Sequence, residues 1–323
     1  MGEVKKLLSV VVPCYNEEDV LMSFYDTTLT VLDGMSTELD YEFIFVDDGS
    51  KDRTLSIMRE LAGIDDNVRY VSFSRNFGKE AAILAGLKAA TGEFVVLMDA
   101  DLQHPPKYLP EMYEKLKDGK YDSVAMKRTD RKGEGMFRRL FSGLFFKLMT
   151  RLAGNNIPEG ATDFRMMSRQ FVDSVLSLTE YNRFTKGIFG WVGYETCWIS
   201  YKDEQRAGGK SKWKTGSLVR YSIDGMVAFS TKPLAFASAT GFLLFVLSTL
   251  TMLVFVVKTL IWGDPVAGFP TLICVILMMS GLQILFLGIL GQYFAKAYME
   301  VKGRPVYITK ESNLNSKEED KES

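Results

Sequence analysis

Two carboxylates and an amide lie close together in the stretch D-A-D-L-Q, at Asp99, Asp101 and Gln103. The four apolar residues 94–97 precede them and predict a buried parallel strand, while the prolines 105–106 suit the first turn of a following helix. Open α/β sheets bind their ligands at the carboxyl ends of strands. Hard oxygen ligands in that position suit Mg²⁺ or Mn²⁺ shared with substrate phosphates. The alternative is a strand that simply ends in a polar turn.

Three earlier segments repeat this pattern of an apolar strand followed by polar residues. Because the strands alternate with helical stretches, they indicate right-handed βαβ units, an α/β fold and a mostly parallel sheet. Behind the first two strands, Glu17, Asp47 and Asp48 offer carboxylates that can accept hydrogen bonds from a base or ribose. This edge therefore indicates a nucleotide site with a metal site beyond it. The predicted strands are 7–13, 41–46, 68–73, 94–97 and 121–126.

Other classes of site lack their required residues. The first strand is followed by P-C-Y-N-E-E, not by the G-x-G-x-x-G of a dinucleotide site. Residues 209–211 resemble the end of a P-loop, but Glu204 stands where the leading glycine is required. The single histidine, His104, disfavours catalytic triads and histidine-based metal centres, and three separated cysteines form no zinc or disulfide pattern. The formal net charge of −1 gives no signal for nucleic-acid binding.

Two long stretches without a charged residue, 234–257 and 265–295, occupy the C-terminal part of the chain. Each is longer than the roughly 20 residues that a bilayer-spanning helix needs, so we expect two transmembrane helices joined by a short loop. A buried helical hairpin in a soluble protein is the alternative. Lysines and arginines cluster before the first stretch and after the second, which predicts that the N-terminal part and the tail are both cytoplasmic.

A basic amphipathic helix is predicted at residues 137–152, where apolar positions share one helical face and basic residues occupy the other. Such a helix is expected to lie in a membrane interface, and the alternative is an ordinary helix packed on the sheet. Residues 213–229 form a second candidate of the same kind.

Four motifs together resemble the family 2 glycosyltransferases: V-V-P-C-Y-N-E-E, V-D-D-G-S, R-N-F-G-K-E and D-A-D-L-Q. More narrowly, they are similar to the polyprenyl-phosphate glycosyltransferases, the group of dolichol-phosphate-mannose synthase and bactoprenol glucosyltransferase. The resemblance covers about residues 7–310 and implies the GT-A fold, with a Rossmann-like, mostly parallel sheet. It implies an inverting, Mg²⁺- or Mn²⁺-dependent transfer of a sugar from a nucleotide-diphosphate sugar to polyprenyl phosphate, by a homo-oligomer at a membrane.

The resemblance also implies roles for individual residues. It assigns Pro13, Tyr15, Glu17, Asp47, Asp48, Arg75, Gly78 and Asp99 to the nucleotide sugar, and Asp99, Asp101 and Gln103 to the metal. It assigns Arg128, Arg138, Ser142, Arg206 and Lys212 to the acceptor phosphate. Asp163, in G-A-T-D-F-R, matches the position of a candidate catalytic base and would act with Asp101. Alternatives remain open: Tyr15 and Asn16 could cap a loop, the basic residues could be solvated charges, and Asp163 could orient the acceptor or cap local structure.

The expected domain organisation follows from these patterns. Residues 1–212 form a cytoplasmic GT-A domain and residues 213–232 a juxtamembrane amphipathic helix. Residues 233–296 form the two-helix transmembrane hairpin, with helices at about 234–257 and 270–293. Residues 297–323 form a cytoplasmic tail, disordered from about Glu311.

The motifs do not separate UDP-glucose from UDP-N-acetylglucosamine, UDP-galactose or GDP-mannose. Two spans and a cytoplasmic active site favour the bacterial undecaprenyl-phosphate glucosyltransferase type, which serves cell-envelope glycosylation. A processive polysaccharide synthase would carry a Q-x-x-R-W motif and more membrane spans. A non-enzymatic, membrane-anchored scaffold that binds nucleotide sugars would not need an intact Asp99, Asp101 and Gln103 set.

Overall fold

A computed structural model describes residues 5–128, 158, 160–201, 232–262 and 268–314. The chain divides into two compact units, Met1–Leu218 with Arg304–Ser323, and Val219–Gly303. The first unit contains the strands β1 Lys6–Cys14, β2 Leu39–Asp47, β3 Val68–Phe73, β4 Phe94–Leu97, β5 Ser123–Arg128, β6 Ala161–Ser168, β7 Thr196–Tyr201 and β8 Thr309–Ser312. Its helices are α1 Leu21–Asp33, α2 Thr54–Ile64, α3 Lys79–Ala89, α4 Leu109–Leu116, α5 Arg169–Ser177 and α6 Thr185–Trp191, with a 3₁₀ turn at Pro106–Tyr108. The second unit contains α7 Lys232–Trp262 and α8 Phe269–Val301.

The described strands form one sheet in the order β7-β5-β6-β4-β1-β2-β3-β8. Its central strands β4, β1, β2 and β3 are parallel to one another, whereas β6 is antiparallel to both β4 and β5, and β8 is antiparallel to β3. The predicted α/β fold with a mostly parallel sheet is therefore confirmed. The near-continuous apolar runs of β1 and β2 are buried, as expected for parallel strands covered on both faces.

Helix α3 packs closely on the sheet because the residues it buries against the sheet are mostly small. Ala81, Ala82 and Ala85 are buried, and a Cβ added at Gly86 would lie 2.2 Å from Val11 Cγ1. A larger side chain at position 86 would push the helix outward. This close approach holds the first residue of the helix, Lys79, near the carboxyl ends of the central strands.

One part of the strand prediction needs correction. The fifth strand is predicted at 121–126, as a continuation of the βαβ series, but β5 runs from Ser123 to Arg128 and does not lie beside β4. The unpredicted strand β6 is inserted between them and runs antiparallel. Residues 164–167 of β6 are all buried, so side chains on both faces of this strand are covered. This burial favours a position inside the sheet, paired with β4 on one side and β5 on the other, although β5 precedes β6 in the chain.

The predicted disorder from about Glu311 also needs correction, because helix α8 continues to Val301 and Glu311 lies in strand β8. Arg59 Nη2 is 2.6 Å from Glu311 Oε2, and the Tyr70 hydroxyl donates to Glu311 Oε1 at 2.7 Å. Asn313 Nδ2 donates to a β3 carbonyl at 3.1 Å. These partners are distant in sequence, which explains why local charge alone predicts disorder. Residues 315–323 lie outside the described part of the chain.

Two long helices, α7 and α8, are present where the transmembrane hairpin is predicted. Among the described residues, Met278–Val301 is long and apolar enough to cross a membrane, with a mean hydropathy of 1.4 and none of it buried. Exposed apolar side chains on α7 include Phe242, Leu243 and Val254. Membrane crossing by α7 and by α8, and the predicted domain boundaries, stay predictions.

Candidate active site

The carboxyl ends of β4, β1, β2 and β3 lie side by side at one edge of the sheet. The register pairs Cys14 with Asp47 at the ends of β1 and β2, and Asp48 N donates to Cys14 O at 2.9 Å. Pro13 is half-buried just before this point. The parallel topology thus brings the loops after β1 and β2 together, and we call residues 13–17 and 47–50 the nucleoside edge.

The loop after β1 is held by its own polar groups. Asn16 has a left-handed backbone conformation, with φ of 54°, and its Oδ1 accepts from Lys51 N at 2.9 Å. The Glu17 backbone N–H donates to Thr54 Oγ1 at 2.9 Å. The loop-capping alternative is therefore confirmed for Asn16. Tyr15 and Glu17 are half-buried at the nucleoside edge, and their contact with a nucleoside stays a prediction.

Asp47 is fixed from two sides at the end of β2. It is 1% exposed, its Oδ1 accepts from Ser50 N at 2.9 Å, and its Oδ2 accepts from Ser72 Oγ at 2.7 Å. These bonds connect the end of β2 to β3 and to the following loop. The carboxylate stabilises the nucleoside edge, and its predicted contact with a nucleoside is not tested by these bonds.

Asp48 performs a similar task for the R-N-F-G segment. Its carboxylate, in a residue that is 3% exposed, accepts from Phe77 N at 2.6 Å and from Gly78 N at 2.9 Å. Burial raises the pKa of Asp48 to about 6, although the two backbone N–H groups oppose this shift. Gly78 has a φ of 99°, which favours glycine, and the exposed Arg75 guanidinium lies 4.0 Å from the Phe77 ring centroid. Asp48 therefore shapes the loop that leads to α3.

The D-A-D-L-Q segment forms a tight turn after β4. Leu102 has a φ of 57°, an unusual conformation for a residue with a branched side chain. Asp101 Oδ1 accepts from Gln103 N at 3.1 Å, and the Asp99 backbone N–H donates to His104 Nδ1 at 3.2 Å. The turn therefore keeps the three predicted metal ligands within a single loop.

His104 supports this turn from within the protein. It is 3% exposed and stacks on Phe164, with 5.2 Å between the ring centroids. Burial lowers the pKa of His104, although the Asp99 carboxylate opposes the shift. A neutral imidazole is consistent with Nδ1 accepting the Asp99 N–H. The single histidine of the chain thus positions Asp99.

Asp163 faces the same turn from strand β6. The antiparallel register pairs Leu97 with Arg165, so its continuation places Asp163 opposite Asp99. Lys79 Nζ bridges the two carboxylates, at 2.6 Å from Asp99 Oδ1 and 2.8 Å from Asp163 Oδ2. A second ammonium, Lys186 Nζ, lies 3.5 Å from Asp163 Oδ1. We call Lys79, Asp99, Asp163 and Lys186 the charged cluster.

Mutual pairing sets the ionisation of the charged cluster. Burial opposes ionisation of Asp163, but Lys186 and Lys79 outweigh burial and hold its pKa well below the usual range. Burial likewise opposes the charge on Asp99, and Lys79 lowers the pKa of that carboxyl. Burial also opposes the ammonium of Lys79, but Asp163 and Asp99 raise its pKa. Lys79, Asp99 and Asp163 are therefore charged at neutral pH, and Asp163 is a weak base while both lysines contact it.

A contact between two helices places the lysines of the charged cluster. Glu80, the neighbour of Lys79 on α3, accepts hydrogen bonds from the Thr185 backbone N–H, at 2.8 Å, and from the Thr185 hydroxyl. Thr185 begins α6 and is followed by Lys186. The carboxylate therefore satisfies a backbone donor at the start of α6 and aligns both lysines with Asp163.

The predicted metal ligands have the chemistry that a hard divalent cation needs. Asp99 and Asp101 supply carboxylates and Gln103 supplies an amide oxygen. Cationic side chains already contact two of the three, since Lys79 pairs with Asp99 and Arg128 Nη2 donates to Gln103 Oε1 at 3.1 Å. Within the described ranges, no three His, Cys, Asp or Glu side chains are clustered to hold a metal, so the third ligand would be the amide. The residues present fit a metal ion, whose binding stays a prediction.

The residues predicted for the acceptor phosphate are described only in part. Arg128 ends β5, where its Nε donates to the Tyr201 hydroxyl at 3.3 Å in addition to the Gln103 contact. This places Arg128 beside the predicted metal site. The other four, and the predicted amphipathic helices at 137–152 and 213–229, lie outside the described residues: Arg138, Ser142, Arg206 and Lys212.

Sequence reasoning missed two residues of the charged cluster. Lys79 belongs to the R-N-F-G-K-E motif, but the motif alone suggested no role for its lysine. Lys186 lies in a segment with no motif, and only the packing of α6 brings it to Asp163. A signal for Lys79 did exist, because a lysine at the start of a helix is unfavourable with the helix dipole and calls for a compensating anion.

Comparisons with known proteins point to one family. The sequence profile described as Glycosyl transferase family 2 matches residues 9–176. The SfII prophage-derived bactoprenol glucosyl transferase of Shigella flexneri is 40% identical over 306 residues, which cover 95% of this chain and 98% of that protein. The uncharacterized glycosyltransferase YkcC of Bacillus subtilis (strain 168) is also 40% identical, over 94% of this chain and 93% of that protein.

Among solved structures, glucosyl-3-phosphoglycerate synthase from Mycobacterium tuberculosis, in complex with Mn²⁺ and UDP-Glc, aligns with a TM-score of 0.48. It is 22% identical, and the alignment covers 69% of this chain and 77% of that chain.

Proposed function

Since this chain belongs to glycosyl transferase family 2, we propose that it transfers glucose from UDP-glucose to undecaprenyl phosphate, with inversion at the anomeric carbon. The relative from Shigella flexneri is a bactoprenol glucosyl transferase, which supports both a glucosyl donor and a polyprenyl carrier. The reaction takes place at the cytoplasmic face of a bacterial membrane, where α7 and α8 anchor the enzyme. A homo-oligomeric state stays a prediction.

The observation that carries this proposal is the meeting of Asp99 and Asp163 beside the nucleoside edge. A displacement at the anomeric carbon needs a place for the leaving diphosphate and a place for the incoming nucleophile. The turn at 99–103 supports the first, because Asp99, Asp101 and Gln103 would hold Mg²⁺ or Mn²⁺, which neutralises charge on the leaving diphosphate when bound. Asp163 on strand β6 and Lys186 on helix α6 support the second.

The charges of the cluster suit a phosphate nucleophile. In the reaction, an acceptor phosphate oxygen forms a bond to the anomeric carbon as the bond to the nucleoside diphosphate breaks. A phosphate monoester has its second pKa near about 6, so its oxygen is already largely ionised at neutral pH. A strong base is therefore unnecessary, which agrees with the lowered pKa of Asp163. Arg128 has the planar fork that binds two phosphate oxygens at once and lies beside Gln103.

The test is sugar transfer by the full chain in detergent, with undecaprenyl phosphate and a panel of radiolabelled UDP- and GDP-sugars, with and without EDTA. We expect one glucolipid product, formed from UDP-glucose and abolished by EDTA. If the product forms from another nucleotide sugar, the proposed donor is wrong but the proposed reaction, sugar transfer to undecaprenyl phosphate, still holds. Nucleotide-sugar binding without any glycolipid product would refute the proposed acceptor.

A further inference from the structure

A cavity of about 260 Å³ in the first unit is lined by residues of strands β6 and β7 and of helix α6. It adjoins the charged cluster through Lys186, but no step of the proposed sugar transfer uses its interior. The side chains that matter for its chemistry are Thr162, Arg165, Lys186, Phe189, Thr196 and Trp198.

The most unusual group in this cavity is the Arg165 guanidinium, in a residue that is only 6% exposed. Its Nη1 donates to Ser123 Oγ at 2.8 Å and to Thr196 Oγ1 at 3.4 Å. Its carbon Cζ lies 4.8 Å from the Phe189 ring centroid and 5.4 Å from that of Trp198. Within the described ranges, Nε has no hydrogen-bond partner and no carboxylate lies within ion-pair distance of the guanidinium.

A buried cation with an unused N–H group is costly unless an anion completes it. Burial lowers the pKa of Arg165 to about 10, while Asp163 opposes this shift, so the side chain keeps its charge at neutral pH. The two aromatic rings contact the guanidinium but cannot replace an oxygen acceptor. The guanidinium therefore offers a strong, unmatched site for an oxyanion.

Lys186 adds a second positive charge to the same cavity. Its carboxylate partner Asp163 lies 3.5 Å away and is shared with Lys79 at 2.8 Å. Two cationic side chains, Arg165 and Lys186, therefore line the cavity, and the carboxylate at its border, Asp163, is shared between Lys186 and Lys79. The Thr196 hydroxyl accepts from Arg165, so its own hydrogen is free to donate to a ligand oxygen.

We propose that this cavity binds a phosphate group, with Arg165 and Lys186 as its cationic ligands and Thr196 as a donor. A phosphate monoester carries a charge of about −1.5 to −2 at pH 7, which matches two cations better than a single carboxylate does. The planar fork of arginine is suited to phosphate oxygens. The phosphate belongs either to a soluble molecule or to a lipid headgroup. The cavity shares Lys186 with the place proposed for the nucleophile, whereas Arg165 and Thr196 belong to the cavity alone and distinguish the two proposals.

The experiment is calorimetric titration of the full chain in detergent with inorganic phosphate, with EDTA present so that no metal ion mediates binding. We expect saturable binding to the wild type. Arg165→Met should weaken it by about tenfold or more, and Lys186→Gln by a few-fold, because each removes a charged hydrogen bond. Melting temperatures of all variants are measured in parallel.

The matched control is Lys115→Gln, which removes an exposed lysine of α4 that pairs loosely with Glu111 at 3.9 Å. It should bind phosphate as the wild type does. Equal weakening by Lys115→Gln would mean that net charge alone is measured, and would overturn the proposal. So would the absence of saturable binding to the wild type. If Arg165→Met does not fold, Thr196→Val decides, because it removes the proposed hydroxyl donor of the cavity, and unchanged affinity in that folded variant overturns the proposal.

A second titration distinguishes the two sources of phosphate. Short-chain phosphatidic acid, dispersed below its micellar concentration, is added to the wild type and to Lys186→Gln. Binding that is weakened by Lys186→Gln and displaced by inorganic phosphate supports the proposal with a lipid headgroup as the source. Binding of inorganic phosphate alone supports the proposal with a soluble ligand.

Discussion

The nucleoside edge and the charged cluster lie on the same sheet but hold their carboxylates in opposite ways. Asp47 and Asp48 accept hydrogen bonds from backbone N–H groups and a serine hydroxyl, which are fixed by the fold. Asp99 and Asp163 are instead paired with the ammonium of Lys79, which ends a long side chain that is 39% exposed. The nucleoside edge is therefore the fixed region, because its carboxylates are held by backbone groups. The charged cluster is the exchangeable region, because a metal ion can take the place of the Lys79 ammonium beside its carboxylates.

The largest expected effect tests the exchangeable region at its centre. Asp99→Asn keeps the shape of the side chain but removes the charge that pairs with Lys79 and that would hold a metal. We expect sugar transfer to fall by at least about a hundredfold, as is typical when one electrostatic contact to the transition state is removed. The measurement is glucolipid formation, with Mn²⁺ binding followed by electron paramagnetic resonance. Transfer within a few-fold of the wild type would remove Asp99 from the metal site.

The next prediction separates two roles of Asp163. Asp163→Asn should reduce turnover by roughly ten- to a hundredfold, because the carboxylate orients both lysines and faces the acceptor. Because Lys186 and Lys79 hold the pKa of Asp163 well below the usual range, we expect the variant to keep the shape of the pH–rate profile, and loss of an acidic limb would instead assign proton acceptance to Asp163. An unchanged profile with reduced turnover would assign positioning alone. Near-normal turnover with intact donor binding would eliminate both roles.

Lys79→Met should have a smaller effect on turnover, about tenfold, and a distinct effect on stability. Without its ammonium, Asp99 and Asp163 repel each other in the metal-free protein, so the melting temperature should fall in EDTA. Added Mn²⁺ should then raise the melting temperature more than it does in the wild type, because the ion replaces the missing charge. Lys115→Met, at an exposed lysine of α4, is the matched control. The same Mn²⁺-induced shift in Lys79→Met and wild type would contradict this role.

The smallest effect concerns the fixed region. The pKa of Asp48 is raised to about 6, so the native state keeps a proton that the unfolded chain releases near pH 4. The contribution of this group to the free energy of unfolding is therefore fully present below about pH 4. It falls by roughly 2 kcal/mol as the pH rises to about 6. Asp48→Asn should remove that dependence. Unfolding of both proteins is measured in detergent across this range, and a constant difference would show that Asp48 titrates normally.

Much of the fold was predictable because it depends on short-range patterns. The four central strands and their parallel direction follow from apolar runs that each end in polar residues, and the predicted α/β sheet is confirmed. The motif D-A-D-L-Q placed three candidate ligands in one turn because its members are neighbours in sequence. Strand β8 was not predictable in this way, because Glu311 is ordered by Arg59 and Tyr70, more than 200 residues away.

The sequence by itself determined which carboxylates end the parallel strands, because strand period and loop position are local properties of the chain. Only the tertiary structure decided that Asp163 faces Asp99, because the antiparallel insertion of β6 beside β4 has no local signature. It also decided that Lys79 and Lys186 neutralise Asp163, since α3 and α6 meet through Glu80 and Thr185. Long-range pairing, and not residue type, turned separate motifs into one charged cluster.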